Sequence, residues 1–250
     1  MSHQRAYPIQ CPKCRHGWSV ELYESVNIKT DPTLREQLFA NQLNAVTCPG
    51  CSFVFRVDKP LLYSDPERRL LIYWFPVPPD RRAEGEERFA DWLREAGMVM
   101  PDGVQAPEVH LVFSRIELVE RIFLREAGLD ERIVEYIKYL IFSRNGGKLD
   151  PVAKSLLFNA QDSTPEQLCF VVLDEASRQF ESLLHYQREA YLALAEAFGK
   201  EDKTADLLEM FPGPYVSARA LLLEELSEQA QDLEPELPES EADPERPPEN

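Results

Sequence analysis

Four cysteines stand in two copies of one short pattern, Cys11-Pro12-Lys13-Cys14 and Cys48-Pro49-Gly50-Cys51. Two residues between paired cysteines let one tight turn aim both sulfurs at the same point, and the proline in each pair pre-sets φ for that turn. Thiolates are soft ligands, and two such turns supply the four that a tetrahedral zinc ion takes. The sequence therefore predicts a structural zinc site made of Cys11, Cys14, Cys48 and Cys51. Four sulfurs close the coordination sphere, so such an ion would hold the chain together rather than activate a water. Redox chemistry at a Cys-x-x-Cys pair competes with this reading, as do cysteines that are close but bind no metal. The redox reading calls for an activated thiol, usually at a helix N-terminus, and neither pair opens a convincing helix.

The remaining reactive residue types read more plainly. Cys169 lies in an apolar run and is expected to be a small buried hydrophobe. His16, two residues past Cys14, is expected to face solvent in its turn, with a ligand role or donation to a thiolate as the alternative. His110 and His185 fall at predicted strand edges, as surface or core groups. Glu120, Glu126 and Glu135 are expected on solvated helix faces. The sequence has no Ser/His/Asp arrangement, H-E-x-x-H, G-x-S-x-G or phosphate loop, and Gly146-Gly147-Lys148 reads as a helix stop, so no catalytic residue is assigned.

Each cysteine pair precedes a strand, Gly17 to Tyr23 with Trp18, Val20 and Leu22 on one face, and Phe53 to Val57 with alternating Phe53, Phe55 and Val57. Between them, Asp31-Pro32 marks a helix start with the acid at the N-cap, followed by Leu34, Leu38, Phe39 and Leu43. Ala45 to Thr47 and Leu70 to Phe75 are further strands. A module this small has few aliphatic residues for a core, and a metal staple would help it fold. Pro76, Pro78 and Pro79 with Asp80-Arg81-Arg82 form a linker or bend. Beyond it come a helix over Glu84 to Ala96, a strand over Val109 to Phe113, and a helix opened by the capping box Ser114-Arg115-Ile116-Glu117 and closed by Gly128. Asp130 caps the next helix, with its apolar stripe Ile133, Val134, Ile137, Leu140 and Ile141. Leu156 to Phe158, Leu168 to Leu173 and Phe180 to His185 are expected as strands of a small sheet, and Gln187 to Phe198 and Val216 to Glu228 as helices. The fold class is thus α+β: a zinc-ribbon-like module of short antiparallel strands and one helix over residues 7–76, a mixed helix/strand domain over 84–228, and an acidic disordered tail over 229–250.

The twin motifs resemble those of the CpXC family. The likeness continues through Glu24-Ser25-Val26-Asn27, Asp31-Pro32-Thr33-Leu34, the segment Pro60 to Glu67, and Ile116 to Leu140 with Gly128-Leu129-Asp130-Glu131. The resemblance implies zinc ligation by the same four cysteines and implies no reaction, substrate or partner. Arg15 and Ser52 stand where that pattern often has a knuckle glycine, at a place that needs positive φ.

Charge bounds the partners. The 250 residues carry 27 Lys and Arg against 44 Asp and Glu, a net −17, while residues 1–60 are near neutral at +2. So acidic a chain repels nucleic acid outside a local basic face. No run approaches the roughly 20 apolar residues of a membrane helix, and Met1 to Gln10 has no apolar core of a secretory signal, so a soluble cytoplasmic protein is expected. The leading functional expectation is a non-enzymatic zinc-binding interaction or adaptor module with a protein partner. The alternatives are an enzyme with a carboxylate-lined pocket in the second domain, and a nucleic-acid-binding ribbon using Lys13, Arg15, Arg56 and Lys59.

Overall fold

The computed structural model describes residues 1–78, 81–96 and 107–232. Among them the chain forms ten strands and seven helices in mixed sheets, an α+β fold. Strands β1 (His3–Gln10) and β2 (Gly17–Asn27) pair antiparallel, with Gln10 opposite Gly17 and the first cysteine turn at their tip. Helix α1 (Thr33–Phe39) follows, then the short hairpin β3 (Ala45–Thr47) and β4 (Val54–Arg56), whose tip is the second cysteine turn. Strands β5 (Leu61–Asp65) and β6 (Leu70–Trp74) join β2 to form the body of the first sheet.

That sheet runs on past residue 76. After helix α2 (Arg82–Ala96), strand β7 (Glu108–Val112) pairs parallel with β6, giving the order β1-β2-β5-β6-β7. The β2–β5 pair is parallel as well, so the sheet contains crossovers that a purely antiparallel ribbon lacks. Alternation in β5 and β6 sends Leu61, Tyr63, Leu70, Ile72 and Trp74 to one face, where they pack on Leu34 and Leu38 of α1. Helix α3 (Arg115–Glu126) closes the same face with Leu118 and Ile122, while Phe89 of α2 packs with Phe75, Leu111 and Phe113 in a separate cluster.

Helix α4 (Glu131–Arg144), strands β8 (Lys154–Asn159), β9 (Gln167–Asp174) and β10 (Phe180–Gln187), and helices α5 (Arg188–Phe198), α6 (Glu201–Met210) and α7 (Ala218–Asp232) complete the fold. The three strands form the expected small sheet, and the pairing is antiparallel in the order β10-β9-β8. Leu124, Ile133, Val134 and Ile137 pack against Phe158, Leu168 and Phe170 of that sheet. The capping box is present at Ser114 and Glu117, and Gly128 takes a left-handed conformation at φ +67°.

Several local expectations are corrected. Asp31 does not cap α1: the cap position is Pro32, and the Asp31 carboxylate instead accepts from the Ser2 amide and the Thr30 hydroxyl. Helix α7 runs to Asp232, so residues 229–232 of the expected disordered tail are helical; Pro235 is the first proline after it. Residues 233–250 of that tail, and Pro79 and Asp80 of the expected linker, lie outside the described residues. No helix among the described residues is long and apolar enough to cross a membrane.

Candidate metal centre

The two cysteine turns are built alike. In the first, the Cys11 amide donates to the His16 carbonyl and the Arg15 amide to the Cys11 carbonyl, each at 2.9 Å. In the second, Cys48 donates to Phe53 and Ser52 to Cys48, also at 2.9 Å. Arg15 and Ser52 occupy the left-handed region at φ +60° and +57°, the conformation expected of a glycine there.

The four sulfurs converge. Cys11 Sγ lies 3.7 Å from Cys51 Sγ, Cys14 Sγ lies 3.5 Å from Cys48 Sγ, and all four sit within 4.8 Å of one another. Zinc–sulfur bonds of 2.3 Å in a tetrahedron put sulfurs about 3.8 Å apart, so these separations suit one ion held by thiolates. Cys11 and Cys48 are buried, Cys51 is half-buried and Cys14 exposed. Burial acts to raise the Cys11 thiol, but the amides of Cys14 and Lys13 and the neighbouring cysteines outweigh it, bringing Cys11 down to about 7. The Gly50 amide donates to Cys48 Sγ at 3.3 Å. His16 is exposed and lies outside the sulfur cluster, but a Cβ at Gly50 would meet its ring at 3.2 Å, so glycine lets the two turns approach.

Two contacts that the sequence did not disclose hold the hairpins together. Trp18 of β2 meets Phe55 of β4 edge-on at 6.0 Å. Asn44, just before β3, accepts from the Tyr23 amide at 2.8 Å and donates to the Tyr23 carbonyl at 3.1 Å, tying the second hairpin to β2. An asparagine amid turn residues carries no signal of a partner twenty-one positions away.

Elsewhere, Cys169 is buried as expected, and burial raises its thiol. His185 is exposed. Of the candidate basic face, Arg56 is held bidentate by Asp58 and Lys59 by Glu24, while Lys13 lies over the Phe53 ring and neither it nor Arg15 makes an ion pair among the described residues.

The expectation that Glu120, Glu126 and Glu135 are solvated is overturned. Glu120 and Glu135 are buried, and Lys138 donates to both at 2.6 and 2.7 Å. Arg121 reaches Glu135 at 3.0 Å and Glu131 at 2.5 Å, and Glu131 in turn pairs with His110, which also lies 3.4 Å from Glu108. Glu126 pairs with Arg35 of α1 at 2.7 Å. The outcome is an alternating chain of charges linking β7, α3 and α4, each compensating the desolvation of the next. Burial pushes Glu120 upward, whereas at Glu135 Lys138 and Arg121 overcome burial and hold the carboxyl down. Glu120, Arg121, Glu135 and Lys138 of this group line a cavity of about 580 Å³ that also touches Phe113, Leu156 and Tyr215.

A family model described as "CpXC protein" matches residues 9–138, just over half of the chain. None of the curated proteins and none of the solved structures compared matches it.

Proposed function

The chain belongs to the CpXC family, and from that premise we propose that Cys11, Cys14, Cys48 and Cys51 hold one structural zinc ion in a non-enzymatic interaction module. The convergence of four sulfurs from two turns of the same build carries this reading. The donor set fits: four thiols, two of them buried, at spacings that suit a tetrahedral thiolate ion. Bound there, zinc would join the β1–β2 and β3–β4 hairpin tips and couple its own binding to their folding. With all four positions taken by sulfur, the ion has no site for a reacting water, which favours a scaffold over a catalyst. The cytoplasm, with its reduced thiols, suits such a site, and the surface so fixed would serve a protein partner. Nucleic acid fits less well, because two of the four candidate cations are already spent on Asp58 and Glu24.

The enzyme reading has one observation in its favour, the cavity lined by Glu120, Glu135 and Lys138. Those groups, however, are engaged with one another, and Arg121 donates to Glu135 and the Val216 carbonyl while ion-pairing with Glu131.

Metal analysis of the purified full chain should return one zinc per chain. Cys48→Ser, which removes a buried ligand, should release the ion and lower the melting temperature. Unchanged stoichiometry and melting in that variant would overturn the reading.

A further inference from the structure

A second cavity, of about 370 Å³, opens beside α3 between the strand that follows the second cysteine turn and the β9–β10 turn. Its charged lining is Arg56, Arg115 and Arg178 against one acid, Asp58, in a chain whose net charge is −17. Asp58 is taken up bidentate by Arg56, and one Arg178 nitrogen donates to Glu175 at 2.7 Å. Arg115 has no acid partner among the described residues; it donates to the carbonyls of Leu38 and Phe39. Burial and then the nearby Arg56 charge both push the Arg115 guanidinium below its usual range, with Asp58 acting the other way. Of the three guanidinium groups in the lining, Asp58 and Glu175 each hold one, which leaves Arg115 as the cation without an acid partner.

Two further features face the same way. Ser114, Arg115 and Ile116 in the lining are the N-terminus of α3, a twelve-residue helix whose dipole favours an anion. Glu117 caps the amides of Phe113 and Ser114, while those of Arg115 and Ile116 have no acceptor among the described residues. Trp74 also lines the cavity, is 5% exposed, and its indole N–H is buried with no hydrogen-bond partner among the described residues. The Trp74 indole N–H and the amides of Arg115 and Ile116 are thus donors without a partner among the described residues. Val77, Phe113 and Ile116, together with Ser114 and Arg178, line both this cavity and the larger one, so the two adjoin.

We propose that this cavity binds the oxyanion head of a small amphipathic molecule, a carboxylate or a phosphate monoester, with its apolar body along Val77, Phe113 and Ile116. The dimensions select a small ligand, and the acidic field of the rest of the chain opposes a polyanion.

Calorimetric titration of the full-length chain with phenyl phosphate and with benzoate, at fixed ionic strength, tests the assignment. At least one probe should bind with a dissociation constant below about 1 mM, and the stronger of the two identifies the head group. Arg115→Gln should weaken binding about tenfold or more, as loss of a charged hydrogen bond does. Because Arg115 also ties down two carbonyls, Arg178→Asn serves as the second variant: Arg178 is half-exposed at φ +58°, a conformation asparagine tolerates. It should weaken the same probe several-fold without changing the melting temperature of the free protein. Failure of both probes to bind, indifference of the affinity to Arg178→Asn, or tighter binding of a single-stranded oligonucleotide than of either probe would each overturn the proposal.

Discussion

At the scale of single residues, the cysteines were legible because their chemistry and their spacing say the same thing. The turn geometry was legible too: a motif that wants glycine met arginine and serine, and both adopt the left-handed backbone at φ +60° and +57°. Such a conformation costs a residue with a Cβ about 1 kcal/mol or more. Arg15→Gly should therefore be neutral to stabilising by about 1 kcal/mol, while the β-branched Arg15→Val should cost about 1–2 kcal/mol; thermal melts of the metal-loaded protein would separate the two. The buried acids were not legible. On a helix wheel Glu120 and Glu135 look like any solvated carboxylate; Lys138 meets Glu135 at helical i,i+3 spacing, but only the fold brings it within 2.6 Å of Glu120 on the preceding helix. Removing one member of such a group strands a buried charge. Lys138→Met should cost about 3–5 kcal/mol, read as a lowered urea midpoint. Adding Glu120→Gln should recover part of that loss, since an amide oxygen can still accept from the Phe158 amide.

Elements show in the sequence where pattern and caps agree, and are hidden where they do not. The capping box of α3, the stripe of α4 and the strands beside the cysteine turns fall where expected. Strand β1 leaves little trace in the sequence because it is an edge strand, mostly exposed, with Pro8 inside it and little alternation. Strand β5 is five residues long, and α6 is short with no side-chain cap. What binds the elements to one another is equally hidden from sequence, and His110 shows it. This residue of β7 is 7% exposed and lies between Glu108 of its own strand and Glu131 of α4. Burial alone would lower its pKa, but the two carboxylates outweigh burial and raise it from 6.5 to about 9. Folded His110 thus keeps its proton to higher pH than the unfolded imidazole does. The stability it contributes is complete below about pH 6.5 and disappears as pH rises through about 9. A shift of that size corresponds to about 3 kcal/mol. Denaturant titrations from pH 6 to 10 should show a loss of that order in the wild type and a much shallower slope in His110→Gln.

On the scale of the whole molecule, the charge asymmetry and the connectivity point in different directions. A near-neutral first sixty residues on a strongly acidic remainder suggests two separable parts, and the proline-rich stretch near residue 76 invites a boundary there. The hydrophobic packing ignores that boundary. Val26, Leu61, Tyr63 and Ile72 from one side share a cluster with Val112, Leu118 and Ile122 from the other, and β7 extends the sheet that β2 began. Helix α3 then carries the packing onward, since Leu124 belongs to the cluster around α4 and the second sheet. A helix that supplies both cores couples them, because neither can open without exposing one of its faces. Leu118 is fully buried on the first of those faces, and truncating it leaves a cavity, at a cost of about 2–5 kcal/mol. Were the cysteine-bearing sheet an independent unit, Leu118→Ala would split the calorimetric melt into two steps, with metal release tracking only the earlier one. The shared core predicts instead a single transition, moved to lower temperature, in which secondary structure and metal are lost together.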